Sequence, residues 1–376
     1  MHALLTEADA ARGWILDLLE ALVRAESPTT DKRAVDACGA LLAARLREIG
    51  GRVELIPQIE AGNHVRADFG EGARGRILIL GHFDTVWPVG QIRTMPFEER
   101  EGRLHGPGIY DMKGGIAVSL LAIRLLGLRP PAVTMLWTSD EETGSATSRG
   151  LIEETARGRR AVLVLEPSLP GGAAKTRRKG CGEFQLAVTG KAAHAGIEPE
   201  RGVNAIHELA HQIAAIHRLQ DTARGVSVNV TIVSGGTRTN VIPDSARASI
   251  DVRVPSLADA GRIESALALL RPVLPGSALE LTGGFGRPPL ERTEGVATLY
   301  AAARDVSAEL GRALGEGGTG GGSDGNFTAA IGVPTLDGLG PDGAGAHAAH
   351  EHVVAADLTW RAAFLAGLVR RLDTEE

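Results

Sequence analysis

A histidine and an aspartate stand two residues apart in Gly81-His82-Phe83-Asp84-Thr85-Val86, directly after the apolar run Ile77-Leu78-Ile79-Leu80. The run reads as a buried strand, and the motif as the loop at its carboxyl end. There His82 can offer one ring nitrogen to a metal while Asp84 orients the other, the support that metal-bound imidazoles generally have. His-x-Asp alone equally describes a hydrogen-bonded loop histidine. Four further clusters follow: 105–115 with Asp111, Asp140-Glu141-Glu142-Thr143-Gly144, Glu166-Pro167, and His347-Ala348-Ala349-His350-Glu351-His352. Two histidines and three carboxylates, one of them shared, can hold a pair of Zn2+ ions about 3.5–4 Å apart and activate a water for hydrolysis. One more carboxylate must then act as base. Adjacent glutamates suit that division, because neighbouring side chains point different ways.

Positioning such residues calls for a sheet. Apolar residues at helical spacing predict helices over 6–26 and 31–49, the second ended by Gly50-Gly51. Strands are expected over 52–56, 65–69, 76–80, 132–138 and 161–165, with helices over 114–126 and 148–156. This alternation implies an α/β fold with a mostly parallel mixed sheet flanked by helices. In such sheets ligands bind beyond the carboxyl ends of the strands, where the acidic residues fall.

After the basic stretch 175–180 the texture changes. Strands over 183–189, 226–233, 246–254 and 278–282, with helices over 203–219 and 257–270, give the order βαββαβ of a ferredoxin-like unit. The expected division is a catalytic domain of residues 1–179 and 288–376, interrupted by an inserted domain of 180–287. Beyond it, helices over 295–310 and 355–372 flank a short strand near 334–336. The glycine-rich 311–325 reads as a linker or, given its structured surroundings, a ligand loop.

With 376 residues the chain is long enough for about two domains. Its net charge of -6 argues against general nucleic-acid affinity. Cys38 and Cys181 provide no disulfide framework, charged residues interrupt the N-terminal apolar segment, and no run approaches membrane-spanning length. A cytoplasmic protein without a membrane partner is the expectation.

Together, the motifs resemble those of the dizinc metallopeptidases that include glutamate carboxypeptidases, aminoacylases and succinyl-diaminopimelate desuccinylases. Bacterial glutamate carboxypeptidases that remove C-terminal glutamate from folates are the most similar. The resemblance covers roughly residues 18–368. It implies His82 and Glu166 as ligands of one zinc, Glu142 and His347 as ligands of the other, and Asp111 as the bridge, with His350 and His352 competing for the place of His347. Co2+ or Mn2+ would be accommodated as well. It further implies Glu141 as general base, Asp84 as the partner of His82, and a cis Asp111-Met112 peptide. In the insert, His194 of Gly190-Lys191-Ala192-Ala193-His194-Ala195-Gly196 resembles a histidine that reaches the partner's active site in a homodimer and polarises the substrate carbonyl. Asn240 and Arg253 resemble residues that bind the substrate's terminal carboxylate, and Gly321 lies in a stretch that resembles the loop closing the pocket. An arginine suits that task through its planar fork. Arg287 and Lys175 are candidates for a second carboxylate.

A competing motif, His207-Glu208-Leu209-Ala210-His211, fits the zincin signature and extends to His217 at the spacing of a third ligand. Ala214 stands where a chain-turning glycine would be needed. On a continuous helix His217 points away from the other two, and Ile206, Leu209, Ile213 and Ile216 are expected to form the buried stripe.

The resemblance therefore implies a dizinc exopeptidase that releases a C-terminal amino acid, glutamate foremost, from a small peptidyl or N-acyl conjugate. Within the family, glutamate at the position of Glu166 accompanies carboxypeptidases and deacylases, and aspartate accompanies aminopeptidases. The alternatives are an N-acyl-amino-acid deacylase or dipeptidase of the same family, a zincin-like endopeptidase through His207 and His211, and a non-enzymatic binding relative.

Overall fold

The computed structural model describes residues 1–71, 76–127 and 130–374. Two compact units emerge. The first comprises Met1–Arg177, Glu291–Gly318 and Ser323–Glu376, and the second Arg178–Leu290 with Thr319–Gly322.

In the first unit a six-stranded sheet runs in the order Arg52–Ile56, His64–Phe69, Val133–Thr138, Ile77–His82, Ala161–Val164 and Thr335–Leu336. The contacts of His64–Phe69 with Arg52–Ile56 and with Val133–Thr138 are antiparallel, and the other three are parallel. Ile77, Ile79, Met135, Trp137 and Leu163 enter one core, with the helices Arg12–Arg24, Lys32–Glu48, Gly114–Leu125 and Asp357–Thr374. Leu78, Leu80, Leu136, Val162 and Val164 enter the other, against Ile152, Ala156 and Phe327. Burial on both faces explains why these strands read as continuous apolar runs. The register sets His82 beside Thr138, and Leu80 beside Val164. The loops that follow all three strands therefore leave the same edge.

The segment expected as one helix over 6–26 is two, His2–Ala10 and Arg12–Arg24, with Ala11 leaving the helical path at φ -92°, ψ 11°. The break lets the first helix pack along the closing helix while the second lies on Gly114–Leu125. A small antiparallel sheet was not foreseen. It orders Gly343–Ala344, His352–Val354, Arg103–His105 and Glu98–Arg100.

The second unit has a four-stranded antiparallel sheet in the order Ser227–Gly235, Ser245–Val254, Gly180–Thr189 and Ala278–Arg287. The helices Ala205–His217 and Leu257–Ala268 share its core with Leu186, Ile250 and Val252. Ser227–Gly235 is an edge strand of this sheet.

Candidate active site

The strand Ile77–His82 delivers His82, 1% exposed, at its last position. Gly81 is required just before it, since a Cβ there would come within 2.5 Å of the Met112 side chain. His82 Nδ1 lies 3.0 Å from the carbonyl oxygen of Asp84 and 3.4 Å from its Oδ1. Its Nε2 lies 3.1 Å from Asp111 Oδ1 and 3.4 Å from Glu166 Oε1. Across the same carboxylate, Asp111 Oδ2 lies 3.5 Å from His347 Nε2, which is itself 3.2 Å from Glu142 Oε2. One oxygen of Asp111 thus faces His82 and the other His347. Asp111 and Met112 are joined by a cis peptide.

Asp84 has a second task. Its Oδ1 accepts the backbone N–H of Glu141 at 3.3 Å, its Oδ2 that of Glu142 at 3.2 Å, and its Oδ2 also the Thr29 hydroxyl at 2.7 Å. One buried carboxylate therefore fixes both glutamates in the turn Glu141–Thr143. Beneath that turn, Asp324 accepts hydrogen bonds from Thr138 and Ser145. His64, fully buried, reaches Ser139 and Thr147.

Charge within the cluster is tightly balanced. Burial opposes ionisation of both His82 and Asp111. The carboxylates of Asp111, Asp84 and Glu166 nonetheless raise the His82 pKa well above its ordinary value, while His347 and His82 hold Asp111 well below the usual carboxylate range. Asp111 and then Glu142 push His347 up to about 10. Burial raises Glu142, partly offset by His347.

Three carboxylates and two imidazoles converging in this way suit divalent cations. His82, Asp111 and Glu142 each offer a ligand atom within 4.8 Å of the others, and Glu166 and His347 lie beside this trio. The donor set, carboxylate oxygen and imidazole nitrogen, is that of Zn2+ and similar first-row ions. Of the three clustered histidines only His347 turns to the carboxylates, from a backbone with φ 61°. His352 packs against His105 instead, and His350 supplies its carbonyl to the His352 ring.

Glu351, four residues after His347, is 1% exposed and central. It accepts the N–H groups of Gly108, Tyr110 and Asp111 at 3.0, 2.9 and 3.1 Å, and the Trp87 indole at 2.7 Å. Burial pushes its pKa up to about 7 against the pull of those donors. The signal available in the sequence was an acidic residue at the start of a strand, too common to mark it.

The second unit holds its own candidates in two places, His194 and Asn240 at one end of its sheet and Arg253, Arg287 and Gly321 at the other. His194 Nδ1 accepts the N–H groups of Gly196 and Ile197, both at 3.1 Å, which leaves Nε2 to carry the hydrogen. Its strand pairs with Val241–Ile242, and the Asn240 carbonyl accepts Ala195 N–H at 3.0 Å. Arg253 and Arg287 both stand opposite Cys181, on either side of it in the sheet. A Cβ on Gly322 would meet Arg287 and Cys181, and Arg178 donates to the carbonyls of Gly321 and Gly322. Asp251 accepts Arg253 Nε and Nη2, and Cys181 Sγ accepts Nη1 at 2.6 Å. Lys175 is buried in the first unit.

The zincin signature is dismantled by its own helix. Ala205–His217 is continuous, and His207, His211 and His217 are exposed. Glu208, between the first two, is fully buried and accepts from Val273, Leu274, Ser277 and Gln212. Ile206, expected in the apolar stripe, is 39% exposed, and Glu208 and Gln212 hold the buried face with Leu209 and Ile216.

Residues 78–371 match the model of peptidase family M20/M25/M40, and the chain belongs to that family. It is 34% identical over 347 residues to carboxypeptidase G2 of Pseudomonas sp. strain RS-16, covering 89% of this chain and 83% of that protein. It is 33% identical to the succinyl-diaminopimelate desuccinylase of Alkalilimnicola ehrlichii, covering 95% and 98%. Among solved structures, the aminopeptidase PepT of Bacillus cereus superposes with a TM-score of 0.78 at 20% identity, over 96% of this chain and 98% of that one. The YXEP protein of Bacillus subtilis, described as a dinuclear metal binding peptidase, has a TM-score of 0.70 at 17% identity, over 96% and 98%. The fold is thus that of this family, and the chain is a metallohydrolase that acts on peptides or acyl amino acids. Among the described residues no helix is long and apolar enough to cross a membrane.

Proposed function

We propose that this hydrolase binds two metal ions, Zn2+ foremost, and releases a C-terminal amino acid, with glutamate the preferred residue, from small peptidyl or N-acyl conjugates. The observation that carries this reading is the divided carboxylate of Asp111, facing His82 and Glu166 on one side and Glu142 and His347 on the other. Bound there, the ions would supply Lewis acidity to the scissile carbonyl and lower the pKa of a water at the site.

The chain's own groups do the rest. Glu141, anchored through its amide to the same Asp84 that holds Glu142, takes the proton of the attacking water and delivers it to the leaving amine. His194, reaching in from the second copy of a homodimer as an Nε2–H donor, steadies the carbonyl oxygen as it gains charge. Arg253, Arg287 and the Gly321 loop form a polar element suited to a substrate carboxylate, which Asn240, beside His194 at the other end of the sheet, would complete from the second copy, and the similarity to a carboxypeptidase supports that assignment. The exposed edge of Ser227–Gly235 is a surface on which a second copy can add its own strand, giving a homodimer.

The test is amino-acid release by the zinc-loaded protein from N-blocked dipeptides, acyl amino acids, N-succinyl-diaminopimelate and free-amine dipeptides, with Glu141→Gln as control. Cleavage of N-blocked substrates ending in glutamate supports the reading. Preference for succinyl-diaminopimelate moves the assignment to the deacylase alternative, which the second relative favours. Cleavage confined to free-amine dipeptides overturns it.

A further inference from the structure

The small antiparallel sheet of the first unit carries metal-ligating side chains that the hydrolytic cluster does not use. Glu98 stands opposite His105, and His105 opposite His352, so the three form a row across three strands on one face. The two imidazole centroids lie 5.3 Å apart with their planes tilted by 41°. With a metal about 2.0–2.1 Å from each nitrogen and each ring centre roughly 1.1 Å behind it, two imidazoles on one tetrahedral ion have centroids about 5.2 Å apart. An ordinary ring pair can adopt that spacing too, so the hydrogen bonds matter.

His352 Nδ1 lies 2.9 Å from the carbonyl oxygen of His350. A carbonyl only accepts, so that nitrogen carries the hydrogen and Nε2 keeps its lone pair. Burial, then Arg100 and His352, lower the His105 pKa. His352 thus has one nitrogen oriented by backbone, as metal-bound histidines usually do. Glu98 now pairs with Arg100 at 3.1 Å and reaches an ion by leaving that partner.

We propose that His105 and His352, completed by Glu98, form a third site for a divalent transition-metal ion, separate from the Asp111 cluster. Imidazole nitrogens with one carboxylate suit Zn2+, Ni2+ or Cu2+ over Mg2+ or Ca2+. The strand ending at His105 runs on into the loop that holds Asp111, and the strand opening at His352 follows directly on Glu351 and the His347 loop. An ion held by both rings ties together two segments that each carry a residue of the central cluster.

The experiment is a Zn2+ titration of the full, chelator-stripped chain against a chromophoric competitor. A His211→Ala background is used throughout, because His207 and His211 share an exposed helix face and can bind zinc themselves. Three equivalents are expected, the third weaker than the first two, with an unfolding midpoint that rises further as the third binds. Adding His105→Asn and His352→Asn should remove the third and leave the first two. Adding His82→Ala and Glu142→Ala should weaken the strong pair and leave the weak site, which separates this proposal from the reading of the catalytic centre. Should the His105/His352 double variant fail to fold, each single asparagine variant must weaken the third equivalent. Saturation at two equivalents, or a third that neither asparagine affects, overturns the proposal.

Discussion

Glu351 accepts the backbone N–H of Asp111 at 3.1 Å, although 240 residues separate them in the chain. The same carboxylate takes the amides of Gly108 and Tyr110 and the indole of Trp87. The loop that aims Asp111 at both histidines is therefore held by a residue next to the strand that follows His347. Removing it leaves several buried donors unsatisfied. We expect Glu351→Ala to cost at least about 3 kcal/mol of stability and to weaken metal binding roughly 10- to 100-fold, as loss of a residue that orients ligands does. Denaturant unfolding and chelator competition measure the two effects. Unchanged metal affinity in a folded variant would show that other contacts suffice to place Asp111.

Glu141→Gln isolates the base. The variant keeps the backbone amide that Asp84 accepts, and with it the placement of Glu142. Turnover should fall roughly 100- to 10,000-fold, with KM and metal content close to the parent's. Active Glu141→Gln would remove Glu141 from the mechanism, and loss of metal would reassign it as a ligand.

Much of the sheet was legible because burial on both faces leaves uninterrupted apolar runs, as in Ile77–His82 and Val133–Thr138. The clusters at His82, Glu141–Glu142 and Glu166 were visible because each follows such a run directly. The small sheet was not, since Glu98–Arg100 and Arg103–His105 are short, charged and mostly solvent-facing, and show no alternation to read. Contacts that depend on distant chain closure were equally hidden: Glu351 on Asp111, Asp324 on Thr138, and Glu208 on the loop at Val273. Helical periodicity placed Ile206 inside, but Glu208 takes that face because its carboxylate meets four donors there.

Metal binding and pH are linked through His82 and His347. In the metal-free protein, Asp111 and Glu142 hold His347 up to about 10, and His82 is also raised, the carboxylates around it outweighing burial. A raised folded pKa adds stability that is complete below the unfolded value of about 6.5 and is lost as pH climbs, through about 10 for His347. Ligation needs neutral rings, so an ion must expel those protons. The metal-free unfolding midpoint should therefore fall on going to alkaline pH, while the increment due to zinc should grow from about pH 5 to 8. Calorimetry in buffers of different ionisation enthalpy should register proton release. Proton-neutral uptake would mean that these imidazoles are not the ligands.

Glu208 distinguishes the two metal motifs. Leu274 N–H at 2.7 Å, Val273 N–H at 3.0 Å, Ser277 Oγ at 2.9 Å and Gln212 Nε2 at 2.6 Å all donate to it. Burial raises its pKa, but these donors outweigh it and the net shift is downward. The stabilisation is thus present above the unfolded carboxylate value of about 4.3 and is lost as pH falls through the depressed folded value. Glu208→Gln should cost about 2–3 kcal/mol of stability, most visibly above that pH, with kcat and metal content unchanged. A zincin would behave oppositely, because its glutamate is the general base: the fold would survive and turnover would vanish. His207→Ala gives the same division without the stability cost, since that ring is exposed, and an inactive but folded His207→Ala would return the catalytic centre to the second unit.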